Sequence, residues 1–296
     1  LQQDKTSPFS CAVNASAARE WKFNDNYRPG RNRPVAVIGG GPSGCEAARV
    51  LAERGFRVTL FEKLGQLGGQ LRLASKPPFK GKISWLIEWY ELQLEKLGVE
   101  VRLHTPVSLE ALRELQPYAV FVGTGSDCVI PRSIEGISRG NVCTSTDILN
   151  GNVHPLRQNV IVAGSGMTGM ETAEFLAADG NKITIVEMAD TIGPGASWQN
   201  LSDLMSRLSA CHPTYLPSHR LSAVRSDGAV LEQKDGEKIF LPADLIVLSL
   251  GVKADQTVAL GVEAAFEKVY RIGDTLRTGR IANAVTTAFE AAYKLR

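Results

Sequence analysis

The stretch from Pro34 to Lys63, PVAVIGGGPSGCEAARVLAERGFRVTLFEK, constrains the fold more than any other part of the sequence. It predicts a strand, a tight turn, a helix and a second strand. Val35, Val37 and Ile38 form a short apolar run of the kind buried in a parallel sheet. Gly39, Gly41 and Gly44 then give the spacing G-x-G-x-x-G. In that spacing the first glycine permits the turn and the second lets backbone approach a pyrophosphate. The third lets helix pack closely on strand. A helix from Ser43 to Arg54 would aim its free N–H groups and positive dipole end at the same place, and Gly55 is a natural stop. The second strand, Val58 to Phe61, ends on Glu62, where a carboxylate can accept hydrogen bonds from a ribose diol. A glycine-rich turn in an ordinary α/β protein would leave this combination unexplained.

The same pattern returns at Asn159 to Met188, NVIVAGSGMTGMETAEFLAADGNKITIVEM. Val160 to Val162 is a strand, and Gly164, Gly166 and Gly169 repeat the spacing. A helix from Met167 to Ala178 stops near Gly180, and a strand from Ile183 to Val186 ends on Glu187. The repeat is of whole units, so it predicts two domains and not a solenoid. The length of 296 residues accommodates two such domains.

Composition excludes several classes. The formal charge of +2, with acidic and basic residues interspersed, argues against a bulk nucleic-acid binder. No apolar run approaches the roughly 18 residues of a membrane span, and no signal peptide is visible. The chain starts at Leu1 and not at Met, which suggests a processed chain or a piece of something longer. Cys11, Cys45, Cys128, Cys143 and Cys211 form no C-x-x-C pair, which removes the simplest disulfide-exchange and zinc readings. Their odd number and spacing suit a reducing, cytoplasmic location. Cys45 falls inside the first helix as a small packed residue. His104, His154, His212 and His219 show no metal spacing, so no metal site is expected.

The remaining segments connect these units. Residues 1–33 lack periodicity and read as an extended arm. Arg28, Arg31 and Arg33 either meet phosphates or form a solvated approach to the first strand. Gly65, Gly68 and Gly69 form a donor-rich turn able to cradle phosphate oxygens. Lys82 to Leu97 reads as an amphipathic helix, with Ile83, Leu86, Ile87, Tyr90, Leu94 and Leu97 on one side. Ser108 caps a helix through Leu115. Val99 to Leu103 and Tyr118 to Val122 are strands, the latter closing on Gly123-Thr124-Gly125. Ala196 to Leu208 reads as helix. Short β pieces follow from Thr214 to Leu241, with turns at Ser226-Asp227-Gly228 and Lys234-Asp235-Gly236. Leu245 to Leu250 is a strand ending at Gly251, and a helix from about Ile281 closes the chain.

Taken together, these pieces resemble the two-dinucleotide-binding-domain flavoproteins. Gly123-Thr124-Gly125 is similar to that family's A-T-G crossover, with Gly in place of Ala. Leu250-Gly251 is similar to the second crossover, and Ile272-Gly273-Asp274 to its G-D motif. A closer resemblance is to the NADH:flavin oxidoreductases built like 2,4-dienoyl-CoA reductase, 2-enoate reductase and trimethylamine dehydrogenase. It is carried by Glu62-Lys63 with Leu67-Gly68-Gly69-Gln70-Leu71, by Ala74 with Pro77-Pro78, and by Gly273-Asp274 with Gly279-Arg280-Ile281. The segment from Ser10 to Glu20 looks like the one that follows that family's barrel. There the cysteine matching Cys11 is the last ligand of an iron–sulfur cluster, whose other ligands lie upstream. The sequence contains no such barrel or cysteine group, and a cluster normally takes four thiolates. No cluster is therefore expected on Cys11 alone.

The resemblance implies an α/β fold with two Rossmann-like domains, one inserted in the other. The flavin domain would span 34–126 and 251–296, and the nicotinamide domain 127–250. It implies FAD at Gly39, Gly41, Pro42, Ser43, Gly44, Glu62, Lys63, Gly69, Gln70, Leu71, Val107, Thr124, Gly125, Gly251, Gly273, Asp274 and Ile281. It implies a nicotinamide dinucleotide at Gly164, Gly166, Met167, Thr168, Gly169, Glu171 and Glu187. Asp274 would meet the flavin's ribityl chain or serve only as a turn residue. Glu171 is either an acid near the nicotinamide or an exposed helix carboxylate. Glu187, followed by Met188-Ala189-Asp190 with no Arg, favours NADH over NADPH. Hydride transfer between the two cofactors needs no acid–base side chain, so no catalytic residue is expected. The implied function is an NADH oxidoreductase module that passes electrons onward. In a complete family member they would go through iron–sulfur and FMN to an enoyl-type substrate. The implied partner is an N-terminal flavin and iron–sulfur barrel or a separate electron acceptor. The alternatives are a domain that binds ADP or FAD without NADH turnover, and a free-standing NADH:acceptor reductase.

Overall fold

In the computed structural model, which describes residues 11–23 and 27–296, the first glycine unit is β1 (Pro34–Ile38), α1 (Pro42–Glu53) and β2 (Arg57–Phe61). It continues through α2 (Gln70–Ala74), α3 (Ser84–Lys96), β3 (Glu100–Arg102), α4 (Leu109–Leu115) and β4 (Ala119–Val122). After β5 (Ser126–Cys128) come β6 (Val142–Thr144) and α5 (Ser145–Asn150). The second glycine unit is β7 (Asn159–Ala163), α6 (Met167–Ala177) and β8 (Lys182–Val186). It is followed by α7 (Trp198–Ser209), β9 (Thr214–Leu216), β10 (His219–Arg225), β11 (Gly228–Gln233), β12 (Lys238–Pro242), β13 (Leu245–Leu248) and β14 (Val252–Ala254). The chain ends with α8 (Thr257–Ala265), β15 (Val269–Arg271) and α9 (Ile281–Lys294). The expected arm lies partly outside the described residues, at 1–10 and 24–26, and so does Ser10 of its Ser10–Glu20 segment.

The chain divides into two compact units. One holds the described residues up to Ser75 with Lys82–Asp127 and Lys253–Arg296; the other holds Lys76–Gly81 and Cys128–Val252. The first unit carries a parallel sheet in the order β15-β4-β1-β2-β3. Both faces of this sheet are covered, which is why its strands read as unbroken apolar runs. Val35, Val37 and Leu60 point to α1, α3 and α9. Ala36, Ile38, Phe61, Val120 and Val122 point to α4 and α8. Arg33 is not a free phosphate ligand: it donates to the Gly30 and Pro29 carbonyls, and its guanidinium lies 3.7 Å from the Tyr118 ring centroid.

The second unit carries a parallel sheet in the order β6-β13-β7-β8-β9 and an antiparallel one in the order β10-β11-β12. Val160, Val162, Ile185 and Val247 pack on α5, α6 and α7. Ile161, Ala163, Ile246 and Leu248 face the antiparallel sheet through Leu221, Val224, Ala229 and Leu231. The turn at Ser226-Asp227 joins β10 to β11 with Arg225 opposite Gly228.

Several elements depart from the sequence expectations, and α8, β5, β6 and β14 have no counterpart in them. The chain after Gly69 forms the short helix α2 and not only a turn. The helix expected from Lys82 starts at Ser84, after a 3-10 turn over Gly81–Ile83. The strand expected to Leu250 ends at Leu248, where the chain bends towards Gly251. The six-residue α5 was not expected; it is too short to show helical periodicity and is fixed by a capping box between Thr144 and Asp147. Among the described residues no helix is long and apolar enough to cross a membrane.

Candidate dinucleotide sites

The two glycine turns have nearly identical geometry. A Cβ on Gly44 would lie 1.7 Å from the Gly39 carbonyl oxygen, and one on Gly169 would lie 2.0 Å from that of Gly164. A Cβ on Gly39 would meet the Gly123 oxygen at 2.3 Å, and one on Gly164 would meet the Ser249 oxygen at 2.2 Å. The outer glycines are therefore required by close approach of backbone to backbone. The middle ones are different: a Cβ on Gly41 or Gly166 would meet nothing within 4 Å. Both have ordinary φ, −74° and −56°. They face open space at the N-termini of α1 and α6, and neither helix has a side-chain cap. Open room beside uncapped backbone donors fits a pyrophosphate.

The carboxylates at the strand ends are buried and anchored. Glu62 accepts from the Gly40 N–H at 2.6 Å on one oxygen and from the Leu64 N–H at 2.7 Å on the other. Glu187 accepts on one oxygen from the Ser165 N–H at 2.9 Å and the Ser165 hydroxyl at 2.7 Å. Its other oxygen accepts from the Ala189 N–H at 2.9 Å. A carboxylate offers about four acceptor positions. Glu62 thus keeps about two for a ribose and Glu187 about one. Beyond Glu187, Met188 is exposed, and Asp190 accepts from the Ser218 hydroxyl and pairs with Lys234.

In the first unit, further residues converge around α1. The buried Ser43 side chain leaves no room for a Cβ at Gly273, which would lie 2.5 Å from its oxygen. Asp274 accepts from the Gly279 N–H at 3.0 Å and from the Ser126 hydroxyl at 2.7 Å. Thr275 is buried; its hydroxyl lies 3.1 Å from that of Thr124 and accepts from the Gly125 N–H at 3.1 Å. Gln70 donates to the Ser126 carbonyl at 3.2 Å. Gly69 abuts Gly41, since its Cβ would lie 3.0 Å from the Gly41 Cα. Lys63 is exposed, while Val107 and Ile281 are half-buried. Leu71 is buried in the core, so only its backbone is available to a ligand. In the second unit Met167 packs against the core, Thr168 is exposed, and Gly251 is open on its Cβ side. Ser126, Thr275 and Ser165 carry no sequence signal of their own. They are found only because folding brings them to motif residues.

Residues 33–288 match the pyridine nucleotide-disulphide oxidoreductase family. This chain belongs to that family. Among its relatives, an NADH oxidase of Thermoanaerobacter brockii is 34% identical over 289 residues, covering 96% of this chain and 44% of the relative. A cinnamate reductase of Clostridium sporogenes is 33% identical over 294 residues, covering 97% of this chain and 43% of the relative. A solved 2-naphthoyl-CoA reductase superposes with a TM-score of 0.91 at 28% identity, over 97% of this chain and 44% of that one. The chain thus spans about half the length of the relatives it matches. They place it in the branch of 2-enoate reductase and trimethylamine dehydrogenase-like enzymes. It is an oxidoreductase module of a family whose cofactors are FAD and NAD(H).

Against the family's name, the cysteines here are not built for disulfide exchange. All five are free. Cys45 is buried and donates to the Gly40 carbonyl at 3.3 Å, and burial pushes its thiol pKa well up. Burial likewise pushes Cys143 up to about 12. Among the described residues no group of His, Cys, Asp or Glu is arranged to hold a metal. Glu171 is not an exposed helix carboxylate. It is mostly buried and forms a 2.8 Å ion pair with Lys80.

Proposed function

We propose that this module takes hydride from NADH onto FAD and passes the electrons onward, with FAD in the first unit and NADH in the second. The observation that carries the reading is the duplicated cradle, an open middle glycine at an uncapped helix N-terminus with an anchored carboxylate behind it. Bound FAD and NADH supply the redox chemistry, and the residues of this chain bind and orient. The turns at Gly39–Gly44 and Gly164–Gly169 receive the pyrophosphates on backbone N–H groups. Glu62 and Glu187 accept from the adenosine riboses on the positions the protein leaves free. Asp274, held by Gly279 and Ser126, meets the flavin side of the first dinucleotide, assisted by Thr124 and Gly125. No side chain is assigned to proton transfer.

Glu187 also supports a preference for NADH. A 2′-phosphate beside it would meet a like charge, and two unit charges about 4 Å apart repel by roughly 4 kcal/mol near a protein surface. Asp190 is paired with Lys234 and adds no net charge there, so the preference rests on Glu187 alone. Glu187→Ala is expected to narrow the NADH/NADPH ratio of dissociation constants, and an unchanged ratio removes this basis for selectivity.

For the longer enzyme, the names of the relatives support an unsaturated acyl acceptor, reached through an upstream flavin and iron–sulfur domain or a separate protein. A reading as an ADP- or FAD-binding domain without turnover draws on Glu187, most of whose acceptor capacity is taken by protein donors. Anaerobic mixing with NADH separates the two. Rapid bleaching of the flavin band supports hydride transfer, and a band that persists with NADH bound supports the domain without turnover.

A further inference from the structure

The residue after the first glycine of each turn is Gly40 in the first unit and Ser165 in the second. In both units it is tied to the strand-end acid and to the loop that follows that acid, but by different means. At Gly40 there is no room for a side chain: a Cβ would lie 2.6 Å from the Leu67 Cδ2 and 2.9 Å from the Glu62 Oε2. The loop closes directly on the backbone there, with the Gly68 N–H donating to the Gly40 carbonyl at 2.8 Å. In the second unit a side chain takes over. The Ser165 hydroxyl donates to Glu187 at 2.7 Å and accepts from the Gly193 N–H at 2.9 Å. It has one proton, which the carboxylate takes, so its lone pairs face Gly193. Ser165 and Gly193 are both buried, and no solvent can replace the hydroxyl for that N–H.

We propose that Ser165 is a positioning residue for the nicotinamide dinucleotide: its hydroxyl latches the loop 188–193 onto Glu187 and so shapes the adenosine-ribose end of the second site. The proposal rests on the reading of the second unit as the NADH site. The loop has further ties, from the Ala189 N–H to Glu187, from the Ser218 N–H to the Ala189 carbonyl, and from the Ser218 hydroxyl and Lys234 to Asp190. All of these fall on its first half, at Ala189 and Asp190. Gly193, at its far end, is held by Ser165 and faces Leu201, which a Cβ there would approach to 2.5 Å. Removing the hydroxyl leaves a buried N–H without an acceptor, so the far end of the loop opens to find water.

The test combines hydrogen exchange with NADH binding on FAD-loaded Ser165→Ala and Ser165→Gly proteins. Both variants lack the hydroxyl, but they differ in bulk, so equal effects assign the result to the hydrogen bond and not to packing. Expected are loss of amide protection in 188–193, a rise of about tenfold in the dissociation constant and KM for NADH, kcat within about twofold, and unchanged FAD content. Unchanged protection in 188–193 overturns the latch. Lost protection with unchanged NADH affinity overturns the positioning role. Wild-type protein that binds no NADH overturns the reading of the second site and the ligand half of the proposal with it; the exchange result still decides the loop half.

Discussion

Single residues set the chemistry of each cradle, and their partners explain what substitution should do. Asp274 is held by a backbone N–H and a hydroxyl on two different segments, so its carboxylate has a fixed direction. Asp274→Ala is expected to purify with less FAD, read from the ratio of flavin to protein absorbance; full occupancy would argue against its role. Cys143 gives a prediction in pH. Its thiol is raised by burial, first, and by the Asp147 charge, from an ordinary 9.0 to about 12. The folded state favours the neutral thiol. Its stabilising contribution is therefore complete below pH 9 and is lost as the pH rises from there towards about 12. Cys143→Ser or Cys143→Ala should flatten the loss of stability over that alkaline range in denaturant titrations. At this scale the sequence shows Glu62 and Glu187, because a strand end about 20 residues past a glycine turn is a local signature. It does not show Ser126 or Thr275, which reach Asp274 and Gly125 across 148 and 150 positions of chain. Nor does it show Lys80, whose 2.8 Å pairing with the half-buried Glu171 sets aside only the exposed-carboxylate reading of that acid.

At the scale of elements, capping and close packing decide which helices are legible. Ser108 was readable as a cap, and its hydroxyl accepts from the Ala111 N–H at 3.1 Å. Ser108→Ala should cost about 1 kcal/mol, measured as a shift of the urea midpoint, and no shift would mean that solvent caps α4 equally well. The starts of α1 and α6 have no side-chain cap, as is also true of α2, α3, α7 and α8; what sets them apart is the open middle glycine beside them, which fits the proposed pyrophosphate sites. Long helices and strands follow from their apolar pattern. Three helices do not: α2 and α5, at five and six residues, are too short to show a period, and α8 buries only Ala259 and Val262. The end of β13 is hidden for a similar reason: Leu250 resumes the apolar run one residue past Ser249, yet Leu248 is the last residue in the ladder.

For the whole molecule, duplication is the dominant fact. Two parallel sheets, two glycine turns and two anchored acids follow one plan, and repetition made the fold legible before any contact was known. The second cradle departs from the first in a serine at the position of Gly40 and in fewer free acceptors on its acid. A resident flavin in the first and an exchanging nicotinamide in the second would make use of that difference. The most direct test is the anaerobic visible spectrum of Gly166→Val, recorded before and after NADH beside the wild type. The backbone at Gly166 accepts an ordinary side chain and a Cβ there meets nothing, so the fold should persist while the pyrophosphate is excluded. The account predicts a variant that keeps its FAD band and is not bleached by NADH, while the wild type bleaches. Bleaching of the variant at the wild-type rate would contradict it.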